Sequence, residues 1–206
     1  YLLEAIFKAA GEKVGVIGTV NFRYDQKIIP STHTTPGATE LQALLAEMKN
    51  AQVSTVIMEV SSHALKMRRT DGIEFDGVIF TNLSREHLDF HPDMDDYFNS
   101  KARLFTELLK DSVSRGKPGV ALIEGQDLYG QKLLEKLKKI QSISVATFGM
   151  SSGFDFHAQW LQADLTGIRG KIGGHPFHLR LAGDFNILNT LAAIGMAEYS
   201  FSVTDA

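Results

Sequence analysis

The chain has 206 residues, 44% of them hydrophobic and 22% charged, with a formal net charge of −3. That composition fits one α/β globule and excludes a basic field for nucleic acid or an anionic membrane. It has no cysteine, which removes disulfides, thiolate metal sites and cysteine nucleophiles. No apolar run approaches the roughly 20 residues that span a bilayer and no signal-peptide pattern opens the chain, so a soluble cytoplasmic protein without membrane insertion is expected.

In chain order, YLLEAIFKAAGEK reads as a helix with Leu2, Leu3, Ile6, Phe7 and Ala10 on one side and Gly11 as its stop. It starts in mid-helix with nothing to cap its first turn, and SFSVTDA at the other end holds no closing element. The chain is therefore expected to be a piece of a longer polypeptide. VGVIGT suits a buried strand, and VNFRYDQKII a β ribbon or an irregular excursion. In STHTTPGATELQALLAEMKN, Thr35 is placed to cap a helix and Pro36 to open it, with Leu41, Leu44, Leu45 and Met48 as the inner stripe.

VSTVIMEV reads as a strand buried on both faces, followed by strands in FDGVIFTNL, GVALIEG and SISVATFG. Helices fall between them, around His63 to Arg69, around Lys101 and in DLYGQKLLEKLKKI. SRGKPG is a surface loop. Strands alternating with helices predict an α/β fold, a doubly wound and mostly parallel sheet flanked by helices, with ligands beyond the carboxyl ends of the strands. From residue 154 to 182 the period changes to two, with turn signals at Thr166-Gly167 and Gly173-Gly174, which predicts a small antiparallel meander. GDFNILNTLAAIGMAEY forms the last helix.

Unusual polar residues collect at the predicted carboxyl ends of strands. Glu59 closes VSTVIMEV, with Ser61, Ser62 and His63 next; Thr81 and Asn82 end FDGVIF, with His87, Asp89 and His91 just beyond. A glutamate in a doubly buried strand needs a metal or a partner, for example Arg68 or Arg69. Lys101 presents a second anomaly. Read at about 100° per residue it lies near the centre of an apolar stripe of Met94, Tyr97, Phe98, Leu104, Phe105 and Leu108. Its stem could pack while the ammonium reaches water, or burial could lower its pKa and leave an amine that attacks a carbonyl or takes up carbon dioxide. THTTPGATELQ offers a helix N-terminus suited to an anion, and Asn186 and Asn189 stand where caps are common.

Taken together, HTTPGATELQ, MEVSSHAL, FTNLSREHLDFHPDMDDYFNSKARLF and GDFNILNTLAAI resemble the central, ATP-binding domain of the Mur ligases, over essentially residues 1–206. The likeness is greatest to those members that add the third amino acid, meso-diaminopimelate or L-lysine, to the UDP-sugar dipeptide UDP-MurNAc-L-Ala-D-Glu in peptidoglycan synthesis. The resemblance implies a bacterial ligase, an acyl phosphate formed from ATP, and attack on it by the amine of a diamino acid. It implies an N6-carboxylysine at Lys101 that holds Mg²⁺ with Glu59 and His87. It also implies UDP-sugar dipeptide contacts at His33, Thr34, Thr35, Ser61 and Arg69, an adenine site at Asn186 and Asn189, and a monomer that binds no nucleic acid.

His33, Met67 and Pro92 stand where relatives carry other residues, often asparagine, glutamine and glycine. In the family a glycine-rich phosphate loop precedes the position of Tyr1, and UDP-binding and ligase domains flank this one. The 206 residues are therefore expected to be inactive alone. Alternatives are another ligase of the superfamily, folylpolyglutamate or cyanophycin synthetase, and a metal-dependent hydrolase built on His63, His87, Asp89 and His91. A third is a binding domain in which Glu59 and Lys101 are a buried ion pair.

Overall fold

The computed structural model describes residues 1–164 and 166–204, without side-chain detail at Trp160, Ala163 and residues 202–204. Leu165 of the expected meander and the last two residues of SFSVTDA lie outside the described residues. The chain forms two compact units, Tyr1–Ile73 with Arg85–Leu104, and Glu74–Ser84 with the chain from Phe105 onward.

The first unit opens with α1 (Leu2–Ala9), which ends before Gly11 at φ +90°, and continues into β1 (Val14–Ile17). β2 (Asn21–Tyr24) and β3 (Lys27–Pro30) form the ribbon, joined by Asp25 and Gln26, both at positive φ as a type I′ hairpin requires. After α2 (Ala38–Asn50), β4 (Thr55–Met58) returns parallel to β1, pairing Ile17 with Met58, and the sheet order is β3-β2-β1-β4.

The core of this unit gathers Ile17, Phe22 and Tyr24 of the sheet with Leu41, Leu44 and Met48 of α2. A Cβ on Gly15 would meet the Met48 sulfur at 2.8 Å, so β1 and α2 approach only because residue 15 has none. α3 (Ser62–Lys66) and α4 (Met94–Arg103) complete the unit and pack against each other.

Three expectations are corrected here. α2 begins later than the threonine pair suggests: Gly37 is its N-cap, Ala38 its first residue, and no side chain caps it. β4 is not buried on both faces, because Val56 is 39% exposed, and Glu59 lies past the strand in an exposed position. The helix bearing Lys101 is α-helical only to Arg103; Leu104–Leu109 is π-helical, and α5 (Lys110–Ser114) follows. The i→i+5 bonding of that segment carries more residues per turn, so a 100° projection loses register from Leu104 onward.

In the second unit β5 (Gly77–Phe80), β6 (Val120–Glu124), β7 (Ser144–Gly149) and β8 (Phe156–Asp164) are parallel in that order. β9 (Gly167–Ile172) and β10 (His175–Leu179) extend the sheet antiparallel as the expected meander, with Gly173 and Gly174 at its tight turn. Helices cover both faces. A Cβ on Gly195 of α7 (Phe185–Thr204) would meet Leu122, whereas one on Gly130 of α6 (Leu128–Leu137) would meet Ile123. Neighbouring residues of a strand point to opposite faces, which explains why all of β6 is buried. No helix among the described residues is long and apolar enough to cross a membrane.

Candidate metal and substrate site

The parallel pairing of β1 with β4 brings two strand ends together, and Glu59 is held there from every side. Its backbone N–H donates to the carbonyl of Ile17 at 2.8 Å, and its carbonyl accepts from Thr35 Oγ1 at 2.8 Å. Its Oε2 accepts from both the backbone N–H (3.0 Å) and the hydroxyl (2.6 Å) of Thr19. Thr34 Oγ1 lies 3.1 Å from Thr19 Oγ1, which extends the row of hydroxyls. Arg68 is paired with Asp71, and Arg69 donates to the carbonyl of Thr35 at 3.2 Å. Both arginines are engaged elsewhere, so the expectation of an ion pair at Glu59 gives way to hydrogen bonds from Thr19.

Thr35 is 1% exposed, and its hydroxyl is spent inside the protein, donating to Glu59 and accepting from the Ser61 N–H at 3.0 Å. It does not cap α2; it ties the start of the α2 loop to the exit of β4. Ser61 caps α3, its Oγ accepting from the Ala64 N–H at 3.1 Å. His33 is exposed, with Nδ1 3.2 Å from the Thr32 hydroxyl, and Arg69 also lies 3.1 Å from the sulfur of the exposed Met67.

His87 is exposed at φ +58°, at the start of a turn closed by the His91 N–H on its carbonyl at 2.9 Å. Its ring meets His63 edge-on at 5.1 Å and Tyr97 edge-on at 5.7 Å. Half-buried Lys101, one turn after Tyr97 on α4, places Nζ 5.5 Å from the centre of the same tyrosine ring. His87 and Lys101 thus share one aromatic support. The lysine is half-buried on the face of α4 that also carries the buried Tyr97, Phe98 and Ala102. Asp93 caps α4 directly after Pro92 and accepts from the Asp96 N–H at 2.7 Å.

His91 is fully buried, with Nδ1 2.6 Å from Asp96 Oδ2 and Nε2 2.9 Å from Ser62 Oγ. Both ring nitrogens are occupied, so it is a strut between α3 and α4 and has no lone pair for a metal. Lys66 and His91 hold the Asp96 carboxyl below the usual carboxylate range, the lysine hydrogen bond contributing most. His63 stacks on Phe90 at 3.9 Å, and burial, then the neighbouring His87 and His91, press its pKa down. Among the described residues no three histidine or carboxylate side chains converge as a metal site, which removes the closed ligand set that a zinc hydrolase on His63, His87, Asp89 and His91 needs.

Asn186 and Asn189 lie in the other unit, on the first turns of α7. Asn186 Nδ2 donates to the carbonyl of Ala182 at 2.7 Å, while Asn189 is exposed. Glu124, at the end of β6, is a buried carboxylate whose pKa is raised by that burial. It accepts from the amides of Gln126 and Asp127 and shapes the loop before α6.

Sequence reasoning missed Thr19 and Gly18. A Cβ on Gly18 would lie 3.0 Å from the Glu59 carboxyl carbon, so this glycine makes the slot that the carboxylate fills. The signal was available, because Thr19 follows the carboxyl end of β1 as Glu59 follows that of β4.

A sequence model described as the Mur ligase middle domain matches residues 1–197. The UDP-N-acetylmuramoyl-L-alanyl-D-glutamate–2,6-diaminopimelate ligase of Geobacter metallireducens is 42% identical over 198 residues, covering 94% of this chain and 38% of that protein. The ligase of the same name from Corynebacterium glutamicum is 40% identical over 203 residues, covering 96% of this chain and 38% of its own length. This chain therefore spans about two fifths of the length of these curated relatives. A solved structure of a ligase with that name superposes with a TM-score of 0.83 at 25% identity, over 97% of this chain and 40% of the other. A folylpolyglutamate synthase structure from Thermotoga maritima superposes at 0.65 with 14% identity, over 96% of this chain and 50% of the other, and shows the shared fold alone. With strands, meander and family match running together over nearly the whole chain, it belongs to the Mur ligase middle-domain family.

Proposed function

We propose that this domain serves an ATP-dependent ligase that joins 2,6-diaminopimelate to UDP-N-acetylmuramoyl-L-alanyl-D-glutamate. The relatives that are 36% to 42% identical carry that activity in their names. In the reaction a substrate carboxylate takes the γ-phosphoryl group of ATP, releasing ADP. The incoming amine then attacks the acyl phosphate, and phosphate leaves as the amide forms. Such a transfer depends on positioning and on neutralising charge.

The observation that carries this reading is that Glu59 is clamped at a strand end with Oε2 engaged by Thr19, while His87 and Lys101 meet on the ring of Tyr97. The Glu59 carboxylate is an oxygen donor of the kind Mg²⁺ takes together with substrate phosphates, and His87 would stand beside it as a nitrogen donor. Mg²⁺ held by Glu59, His87 and Lys101 would offset the charge on the phosphates. For Lys101 to contribute an oxygen, its neutral amine adds to carbon dioxide and loses a proton, giving the N6-carboxylysine. Thr34, Arg69 and the exposed His33 would face the UDP-sugar dipeptide, with Thr35 and Ser61 as the scaffold behind them. Asn186 and Asn189 would lie on the adenine side of ATP.

The test is ADP release by the complete protein with UDP-sugar dipeptide, ATP and diaminopimelate. Release should require all three, and Glu59→Gln should lower kcat by roughly 10²–10³-fold, the scale of losing one electrostatic group in an active site. Turnover with a folate in place of the UDP-sugar dipeptide would overturn the substrate assignment. Bicarbonate labelled with ¹³C should give a carbamate signal that Lys101→Met abolishes.

A further inference from the structure

We propose that Thr19 is a positioning residue that orients Glu59 toward a divalent cation and fixes the hydroxyl of Thr34 as an acceptor toward bound substrate. This rests on the proposed function. The Thr19 hydroxyl has one proton, and at 2.6 Å from a carboxylate oxygen that proton goes to Glu59 Oε2. The 3.1 Å contact between Thr19 Oγ1 and Thr34 Oγ1 must then run the other way, with Thr34 donating. The row is polarised from Thr34 through Thr19 to Glu59.

Two consequences follow from that direction. First, Oε2 takes a second bond from the Thr19 N–H at 3.0 Å, and the missing Cβ of Gly18 leaves the carboxylate its slot, so one oxygen is fixed and Oε1 is presented to an ion. Anchoring one oxygen of a ligating carboxylate in this way sets the direction of the other. Second, Thr34 has given away its proton and offers only lone pairs. The substrate group it meets is therefore a donor, an amide N–H or a sugar hydroxyl, and not a carboxylate or phosphate oxygen.

The variants are made in the complete protein. Thr19→Val keeps the shape and the backbone bond but removes the hydroxyl, and Thr19→Ser restores it. Mn²⁺ binding, followed by electron paramagnetic resonance with a non-hydrolysable ATP analogue and no turnover, should weaken about 10- to 100-fold in Thr19→Val, the range for outer-shell partners of metal ligands. Thr19→Ser should return it to the wild-type value, and the Mg²⁺ concentration for half-maximal rate should follow the same order. Thr34→Val should leave Mn²⁺ affinity unchanged and raise KM for the UDP-sugar dipeptide about 10-fold, the scale of one hydrogen bond.

Unchanged Mn²⁺ affinity in Thr19→Val, or a Thr19→Ser variant as weak as the valine, overturns the role of Thr19 toward Glu59. An unchanged KM in Thr34→Val overturns the acceptor role. Glu59→Gln separates the inference from its premise. If it abolishes Mn²⁺ binding while Thr19→Val does not weaken it, only the inference fails; if it leaves binding and ligation intact, the proposed function fails with it.

Discussion

Glu4 gives up nearly all its water, at 8% exposure, for the guanidinium of Arg23, which reaches it through both Nε and Nη2. The hydrogen bond from Arg23 lowers its pKa most; burial opposes this and Lys8 adds to it, and the result falls from 4.5 to about 2. A carboxylate with a depressed folded-state pKa stabilises the fold above its unfolded pKa and stops doing so as pH falls through the folded one. Between about pH 4.5 and pH 2 that contribution should fade. Urea unfolding of wild type and Glu4→Gln should differ by about 2 kcal/mol at pH 6, the cost of leaving a mostly buried partner charge uncompensated, and converge as pH approaches 2. A difference that stays constant over this range would remove Glu4 as the source. A helical projection cannot reveal such a pair, since it places a charged residue outside and Arg23 arrives from a strand 19 positions on. Glu59, His87 and Lys101 were legible because strand ends and misplaced charges are sequence signals. Thr19 carries only the weaker signal of its place after a strand, and its contact with Glu59 forms when β1 and β4 pair.

Strand and helix order was readable throughout, because each element has a clean period and a punctuating glycine or polar cluster; the departures are local. THTTPG resembles a capped helix start, yet tertiary hydrogen bonds draw Thr35 to Glu59 and Ser61, and the helix waits until Ala38. The π-helical segment Leu104–Leu109 departs from the 3.6-residue period that a 100° projection assumes. The β2–β3 turn also shows what sequence alone hides. Asp25 tolerates its φ of +43°, but Gln26 at φ +63° pays the steric cost of a left-handed backbone with an ordinary side chain. Gln26→Gly should therefore stabilise the protein by about 0.5–1 kcal/mol, about 1–4 °C in Tm for a chain of this size. Differential scanning calorimetry checks this, and an unchanged or lower Tm would mean that the entropy of the added glycine outweighs the relief of strain.

At the scale of the whole chain, the site proposed in the first unit would supply charge and orientation but only part of what phosphoryl transfer needs. The 206 residues contain no G-x-x-x-x-G-K-[ST] sequence, the motif whose backbone amides and lysine cradle the phosphates of a nucleotide. Without that cradle the γ-phosphoryl group has no fixed line of approach to a carboxylate, and effective molarity, worth about 7–11 kcal/mol in well-oriented reactions, is lost. The chain also spans only 38% of the length of its diaminopimelate ligase relatives. The 206-residue chain alone should thus release no ADP above the protein-free control when given ATP, Mg²⁺, UDP-sugar dipeptide and diaminopimelate together. Circular dichroism on the same sample must show the mixed α/β fold, so that silence reports missing machinery and not a missing structure. Substrate-dependent ADP release from this sample would locate a sufficient phosphate cradle within these residues and overturn the expectation.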